Sequence, residues 1–500
     1  MFREIKDGQI PPRWSDFLNH GYGYPLFSFA YPLPYYAGLL IKSIGTDFVS
    51  AIKILFVLSV IMSSFFMFLL GRELAGSFAG FISAIFYTVA PFRLVDLYVR
   101  GSIGESLSLA IFPLLFFLTI KYIQRPNIFR MSFCSLALSG LILTHNIMAV
   151  VFFPIFVIFY WTIVFTYYQD AKIYTFKYFL PVILLGLGLA SYFFVPAILE
   201  KKYIVLSNIK LADVRENFVG LKEYFLSPWS YDKPSFQLGW AHILGAVIGL
   251  FSVIFSNAVY KKKYISLVIM LTTAIFTIIF FAHSASLPFW NIPPLSWIDF
   301  PWRLLTPLAF LMALMTVFLS IHKLTRFIGI ILVLLTVILS YRFATPRTYI
   351  QKPESFYYTN DGTTTSKNEF MPLWVKQEPT ARWVQKAEIE QGSAVITDLT
   401  NNSKSIRFRI VTEGESIVKL NSIYFPGWEY SVDKTKLEPL ISSDGLVRLR
   451  INTGDYIFEG NFKETPVRLW SDIVSVVSMG ILISACVYYL MVIYPKNKVL

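Results

Sequence analysis

Residues Gly8 to Tyr36 read GQIPPRWSDFLNHGYGYPLFSFAYPLPYY and precede every long apolar run in the chain. The stretch is dense in proline, glycine and aromatic residues. Proline fixes φ and removes a backbone donor, and glycine frees the backbone, so one regular helix is excluded here. The stretch is also too aromatic and too poor in charge for a disordered tail. It is therefore predicted to be a shaped loop that lies on an apolar surface.

The composition of the 500-residue chain is that of a membrane protein. Hydrophobic residues make up 55% and charged residues 15%, whereas a soluble protein carries about 25% charged residues. Several uncharged runs approach the roughly 20 residues that cross a bilayer. The net charge of +13 does not indicate nucleic acid, because the basic residues lie in short loops between these runs. The fold class is therefore an α-helical polytopic membrane protein.

Eleven transmembrane helices are predicted from the apolar runs. They cover residues 47–70, 75–92, 106–124, 129–146, 147–168, 177–198, 239–258, 264–282, 303–321, 326–342 and 470–493. The fourth and fifth are separated by His145 and Asn146 alone. Cys134 and Cys486 both fall inside predicted helices, so neither a disulfide nor a cysteine metal site is expected.

The distribution of lysine and arginine predicts the orientation in the plasma membrane. Basic residues are concentrated in one set of alternate loops, which is placed in the cytoplasm. The extracytoplasmic set is residues 1–46, 93–105, 145–146, 199–238, 283–302 and 343–469. The N-terminus then lies outside with no preceding span. Either the first span inserts unaided, or the chain lacks a further N-terminal helix.

A change in composition near residue 343 predicts a second kind of structure. Residues 405–411 and 446–451 alternate apolar and polar side chains, which is typical of strands. Turn residues separate these runs. A small extracytoplasmic β-sandwich-like domain is therefore expected before the last helix. The predicted domains are a first-loop segment at 1–46, a transmembrane domain at 47–342, a β-rich domain at 343–469, and a final helix with its tail at 470–500.

The candidate chemistry is a set of ionisable residues at the predicted outer ends of helices. Asp96 and Arg100 are four residues apart, so they share a face if the loop is helical. Glu105 follows, and so many charges in a short apolar loop exceed structural need, although an ion pair that only caps the helices is the alternative. Asp96 and Glu105 are the candidate catalytic carboxylates.

Two further outer positions are candidates for binding a phosphate or a hydroxyl. His145 and Asn146 end the fourth predicted span, where a plain helix cap is the alternative. Arg303 follows Trp302 at the start of the ninth, where its charge opposes both the helix dipole and the positive-inside trend. Such an arginine suits bidentate contact with a phosphate, and a pair with Asp299 is the alternative.

The first stretch supplies residues that would line a cavity. Trp and Tyr in an interfacial loop usually anchor the protein to the membrane, but stacking on a sugar or lying along a lipid is the functional alternative. The cavity-lining candidates, together with Trp302, are Arg13, Trp14, His20, Tyr22, Tyr24, Tyr35 and Tyr36.

Several segments taken together resemble a known family. These are GQIPPRW, GYGYPLFSFAYPLPYY, LYVRGSIGE, LTHN, YFFVPAILE, FPWR and YFPGWEYSVD. They are similar to the 6-pyruvoyl-tetrahydropterin synthase-related membrane proteins of bacteria and archaea. The spans and the first loop also resemble the C-type glycosyltransferase superfamily, which takes sugars from polyprenyl-phosphate donors.

The resemblance implies an activity and its partners, and it also implies a catalytic residue that this sequence lacks. A sugar would pass from a polyprenyl-phosphate donor to a glycan or lipid acceptor outside the cytoplasm, with Arg100 and Arg303 at the phosphate. The expected catalytic Asp and the span before it have no counterpart in this sequence, so the resemblance leaves two readings open: an active transferase, or a degenerate relative that is inactive as written. No cofactor is implied with certainty, and a divalent cation would assist such chemistry without any acid spacing that specifies one.

Two non-enzymatic alternatives remain open. The chain would be a transporter or flippase of lipid-linked glycans if the same charged groups served passage, as intramembrane charges often do. It would be an envelope scaffold if the β-rich domain bound a polysaccharide.

Overall fold

A computed structural model describes residues 1–167, 174–230, 234–341, 343–346, 348–358 and 362–493. The described chain is mostly helical and carries nine strands near its C-terminus. It divides into two compact units. The sheet unit comprises Met1–Leu39, Ser191–Leu211 and Lys352–Ser475, and the helical unit comprises Leu40–Ala190, Ala212–Gln351 and Val476–Leu500.

In the described part of the chain, eight helices are long and apolar enough to cross a membrane. They are Phe48–Ala75, Ile103–Gln124, Asn146–Thr166, Phe176–Tyr203, Ala258–Ala282, Pro301–Ser320, Lys323–Tyr341 and Pro466–Met491. A ninth span forms if Ser77–Thr88 and Pro91–Tyr98, which meet at 47°, count as one. Ile128–Thr144 and Trp240–Ile254 are apolar but shorter. All eleven predicted segments are thus apolar helices, and the structure supports about eight of them as full spans.

Shorter elements complete the helical part of the fold. The short α-helices are Phe2–Lys6, Leu26–Phe29, Leu33–Ser43 and Glu354–Tyr358. The 3₁₀ turns are Lys201–Tyr203, Val205–Ser207, Val214–Asn217, Leu221–Tyr224, Ser284–Phe289, Leu295–Trp297, Pro301–Leu304 and Thr316–Ser320, and a π turn covers Tyr489–Ile493. The predicted break at His145 is confirmed, because one helix ends at Thr144 and the next begins at Asn146.

Local sequence explains how the first long helix begins, ends and packs. Its N-terminus is capped by Asp47, whose side chain accepts the Ser50 N–H at 2.9 Å. It ends at Gly76, whose φ of +89° suits glycine. A Cβ on Gly71 would meet the Cα of Gly80 at 2.9 Å. These small residues therefore let helices Phe48–Ala75 and Ser77–Thr88 approach closely.

The described residues of the sheet unit include nine strands, which form two antiparallel sheets. They are β1 Ala387–Gln391, β2 Ala394–Asn402, β3 Ser405–Thr412, β4 Ser416–Ile423, β5 Trp428–Val432, β6 Thr435–Leu437, β7 Leu440–Ile441, β8 Leu446–Ile451 and β9 Gly454–Phe462. One sheet has the order β1-β4-β8-β7 and the other β2-β3-β9-β5-β6. Apolar residues of both sheets share one core. The two runs predicted to be strands are confirmed as β3 and β8.

The opening stretch packs into the core of this same unit. The indole of Trp14 is buried and stacks on Phe425 with ring centroids 5.9 Å apart. Trp428 and Phe462 also contact it, at 6.2 and 5.9 Å. The backbone of Tyr22 accepts the Ile423 N–H at 2.9 Å. The apolar surface beneath the stretch is therefore the aromatic side of the β-sandwich.

We expect Gly23→Ala to destabilise the sheet unit. Gly23 has a φ of +96°, and an added Cβ would lie 2.1 Å from the Trp14 ring, so the substitution combines backbone strain with a clash against a buried indole. The free energy of unfolding should fall by about 1–3 kcal/mol or more. Urea unfolding of the purified chain, followed by tryptophan fluorescence, measures it. Gly414→Ala is the matched control, because nothing lies within 4 Å of its added Cβ.

A buried lysine gives the sheet unit a specific pH dependence. Lys386 is 3% exposed, and its Nζ donates to the carbonyls of Gly21 and Asn421 at 3.0 and 2.9 Å. Burial lowers its pKa to about 8, against the partly compensating charge of Asp16. The folded lysine thus loses its proton before the unfolded one does.

The wild-type chain should therefore gain stability relative to Lys386→Met as pH rises from about 8 to about 10.5. In that window the unfolded state binds more protons, so deprotonation favours folding. The full effect is on the order of 3 kcal/mol. Urea unfolding of both proteins at several pH values measures the difference. A flat difference across the window would contradict the prediction, and Lys434→Met, at an exposed turn, is the control.

Candidate functional site

Three of the predicted charged residues form one buried cluster in the helical unit. Helix Pro91–Tyr98 carries Asp96, and helix Ile103–Gln124 carries Glu105 in its first turn. Both carboxylates are buried, and Arg100 lies between them. Its Nη1 donates to Asp96 Oδ1 and to Glu105 Oε2, the latter at 2.7 Å, and its Nη2 donates to Glu105 Oε1 at 2.6 Å. The predicted i,i+4 pair is therefore present.

Burial and charge act in opposite directions on Arg100. Burial favours the neutral form, but the charges of Glu105 and Asp96 outweigh it and raise the pKa of the guanidinium above its usual value. Its side chain is 13% exposed, whereas both carboxylates are fully enclosed. Arg100 is therefore a permanent cation on the solvent side of the two acids.

The two carboxylates differ in how completely they are held. Thr306 Oγ1 donates to Glu105 Oε2 at 3.0 Å, in addition to the two bonds from Arg100. Arg303 Nε and His145 Nε2 each lie 3.7 Å from Glu105 Oε1. Asp96 Oδ2 is buried and has no hydrogen-bond partner among the residues that the structure describes. Both oxygens of Glu105 thus accept hydrogen bonds, whereas Oδ2 of Asp96 accepts none from the described residues.

Trp302 organises the cationic side of the cluster. The guanidinium of Arg100 lies 4.5 Å from the centre of its ring, and that of Arg303 lies 5.9 Å away. The indole N–H donates to Asn217 Oδ1 at 3.1 Å. This aromatic platform therefore positions both arginines. Asn217 and Thr306 were not predicted, because their contacts join segments far apart in the sequence.

His145 has a capping role as well as a place in the cluster. Its Nδ1 accepts the Met148 N–H at 3.3 Å, in the first turn of helix Asn146–Tyr167. In the neutral ring the proton is then on Nε2, which faces Glu105. Asn146 begins the same helix. The alternative of a helix cap therefore applies to His145, at the start of the fifth predicted span.

Arg93 is a residue of this region that the sequence did not single out. Its side chain is 2% exposed, and its Nη2 donates to Ser63 Oγ on helix Phe48–Ala75. Its guanidinium lies 5.1 Å from the centre of the Tyr87 ring. It lies three residues before Asp96 on the same short helix, so the signal in the sequence was a further charge close to Asp96, Arg100 and Glu105.

The remaining site candidates lie in the sheet unit. Trp14 and Tyr24 are in its core, and the Tyr24 hydroxyl accepts the Phe370 N–H at 2.9 Å. Tyr35 is exposed and contacts the Phe27 ring edge-on. The others, which are buried or half-buried, are Arg13, His20, Tyr22 and Tyr36. Their cavity-lining role stays a prediction.

Arg13 belongs to a buried charged network in the sheet unit. Its Nη2 donates to Asp472 Oδ1 at 2.7 Å, and its Nη1 to the Tyr192 carbonyl at 2.7 Å. Beside it, Arg468 pairs with Glu200 at 2.8 Å, and both are almost fully buried. The arginine of the PRW motif thus ties the opening stretch to the last helix and to the segment that follows Ala190.

No cluster of three or more His, Cys, Asp or Glu side chains that would hold a metal occurs among the described residues. Cys134 is a free, buried thiol and Cys486 is half-buried. A divalent cation at the candidate site stays a prediction that rests on the resemblance alone.

The fold and the cluster define a multi-pass α-helical membrane protein with a β-sheet region and a buried acid–arginine site. Residues 27–350 match the family described as the 6-pyruvoyl-tetrahydropterin synthase related domain, a membrane protein. The chain belongs to this family, as its motifs predicted.

One curated relative is similar over a long stretch. It is an uncharacterized protein of Lactococcus lactis subsp. cremoris (strain MG1363), 24% identical over 318 residues. The alignment covers 60% of this chain and 48% of the relative. The chain thus spans about half the length of the curated relative that it matches.

Proposed function

We propose that the protein transfers a sugar from a polyprenyl-phosphate donor to an acceptor hydroxyl of a glycan or lipid. The observation that carries the proposal is Asp96, whose buried Oδ2 has no hydrogen-bond partner among the described residues. Glu105 has both oxygens engaged. Asp96 is therefore the base, and Glu105 holds Arg100 in place.

The proposed step balances without an external reactant. The acceptor hydroxyl gives its proton to Asp96 Oδ2, and its oxygen forms a bond to the anomeric carbon. The bond from that carbon to the phosphate oxygen breaks, and the lipid phosphate leaves with the electron pair. Arg100 and Arg303 stabilise the charge that develops on the phosphate, which is where fixed cations lower a barrier most.

Access to the base requires a local movement. Asp96 is fully enclosed, while the Arg100 and Arg303 side chains are 13% and 18% exposed. We propose that the phosphate first contacts these two arginines and draws Arg100 away from Asp96. The acceptor then reaches Oδ2. In this proposal the site faces the extracytoplasmic side of the plasma membrane, as the loop charges predict.

The test is incorporation of radiolabelled sugar from a polyprenyl-phosphate donor by membranes that contain the chain. Arg303→Gln should reduce transfer at least tenfold, because a buried or half-buried phosphate contact is lost. Arg409→Gln is the matched control, since Arg409 forms an exposed pair with Asp455 in the β-domain. Equal transfer by Arg303→Gln and the wild type, or by membranes without the chain, would refute the proposal.

A second candidate is a transporter or flippase for the same lipid-linked glycan. The observation in its favour is the helix broken between Thr88 and Pro91, with a 47° bend, just before the charged residues. Discontinuous helices of this kind carry the substrate sites of many transporters. In vesicles, the donor would then change leaflet with its sugar still attached, whereas a transferase would release the lipid phosphate.

A further inference from the structure

Among the described residues, no carboxylate forms an ion pair with the buried guanidinium of Arg93. No carboxylate of the described residues lies within salt-bridge distance of its guanidinium, which contacts Ser63, the Ser59 carbonyl and the Tyr87 ring. Its Nη1 is enclosed and makes no hydrogen bond within the described part of the chain. Arginine stays charged in proteins, and an uncompensated buried charge is strongly unfavourable. The charge therefore calls for an anion that the described residues do not supply in direct contact.

A second feature at the same place also favours an anion. Helix Pro91–Tyr98 starts at Ala90, which provides no side-chain cap. Ala90 and Phe92 are almost fully buried, so water does not replace the cap. The N–H groups of a first helical turn have no partner within their own helix, and they attract negative charge. Side chains on a helix also tilt towards its N-terminus, which brings the Arg93 guanidinium to this end.

Two neighbouring serines fix the orientation of the Arg93 guanidinium. Ser59 and Ser63 lie one turn apart on helix Phe48–Ala75, and each donates its hydroxyl to its own helix, at 2.7 and 2.8 Å. Ser63 Oγ is then left to accept from Arg93 Nη2. One edge of the guanidinium is thereby fixed, and Nη1 on the other edge is left with no acceptor among the described residues.

We propose that Arg93 and the start of helix Pro91–Tyr98 bind a phosphate group, either that of a lipid-linked substrate or a free phosphate. A phosphate offers several acceptor oxygens to a guanidinium fork and to backbone N–H groups together. Arg100 is free to bind a phosphate fully only after it moves away from Asp96, because its Nη1 and Nη2 already bind two carboxylates, whereas Arg93 needs to leave no carboxylate of the described residues. The lipid-linked form of this ligand rests on the proposed function, whereas phosphate binding itself does not.

The experiment is thermal unfolding of the full chain in detergent with three additives: inorganic phosphate, a polyprenyl phosphate, and the uncharged polyprenol. A ligand that binds the folded state raises Tm. Polyprenyl phosphate should raise it by several degrees, and polyprenol should not. A rise with inorganic phosphate alone would assign the site to the free anion.

Arg93→Met should abolish the phosphate-dependent rise in Tm. Its own Tm without ligand should equal or exceed that of the wild type, because an apolar side chain of similar length replaces an unpaired buried charge. Arg93→Lys keeps the charge but cannot make a bidentate contact, so its phosphate-dependent rise in Tm should be smaller than that of the wild type. This variant also keeps the test valid if Arg93→Met does not fold. Arg409→Met is the exposed control and should keep the full rise.

An equal rise in the wild type, Arg93→Met and Arg93→Lys would overturn the inference, and so would no rise in the wild type. Failure of sugar transfer has a different meaning. If transfer is absent while the Arg93-dependent rise persists, the proposed function fails and the phosphate site stands.

Discussion

Glu200→Leu is expected to destabilise the sheet unit by about 3–5 kcal/mol, the range for breaking a buried ion pair from one side. Glu200 accepts from Arg468 Nε at 2.8 Å and from Thr465 Oγ1 at 2.6 Å. Arg468 is fully buried, between the rings of Phe425 and Phe462. Removal of the carboxylate leaves that guanidinium enclosed without its partner.

The reason for the loss can be tested with a second substitution. The double variant Glu200→Leu/Arg468→Met removes both charges, so it should recover most of the stability that the single variant loses. Asp455→Ala, which breaks the exposed pair with Arg409, should change the free energy of unfolding by no more than about 1 kcal/mol. Urea unfolding of the purified chain measures all three. A double variant as unstable as Glu200→Leu would show that packing, rather than the stranded charge, dominates.

The sequence predicted the elements well because their signals are local. A run of apolar residues needs no partner to be recognised as a helix that spans a membrane, and alternation identifies a strand such as Ser405–Thr412. The Asp96–Arg100 pair was also visible, since four residues make one helical turn. Span length was the weaker prediction, because Ile128–Thr144 and Trp240–Ile254 are shorter than their apolar runs suggested.

Contacts between distant segments could not be predicted in this way. Glu200 and Arg468 are 268 residues apart, and neither has a local pattern that names the other. The opening stretch shows the same limit. Its aromatic content correctly indicated an apolar surface, but only the fold identifies that surface as the ring cluster of Phe425, Trp428 and Phe462.

Charge pattern alone did not show that Arg93 lacks a carboxylate partner. The sequence paired Arg100 with Asp96 and did not single out Arg93. In the structure, Arg100 is bound by two carboxylates and Arg93 by none of the described ones. Which of the two arginines has carboxylate partners therefore depends on the tertiary structure. It depends on Glu105, whose helix places it against Arg100.

Asp96→Asn and Glu105→Gln are expected to fail in different ways. In Asp96→Asn the side chain cannot take the proton of the acceptor hydroxyl. At a saturating concentration of the sugar donor, the transfer rate should therefore fall by roughly 10²–10⁴-fold, the usual contribution of a general base. Its stability should change little, because Arg100 keeps its two bonds to Glu105. Donor affinity should also persist, since the arginines remain.

Glu105→Gln should instead lose stability by about 2–5 kcal/mol, because Arg100 loses half of its compensating charge in an enclosed site. Any transfer that the folded fraction retains should exceed that of Asp96→Asn. The measurements are transfer rates per folded protein and unfolding midpoints for both variants, with Asp455→Asn as the exposed control. If folded Glu105→Gln protein transferred sugar more slowly than Asp96→Asn, the general base would be Glu105 and not Asp96. The two carboxylates differ in their hydrogen bonds. Glu105 accepts three, which makes it a poor base, whereas Asp96 has a buried oxygen without a partner among the described residues, which makes it a better one.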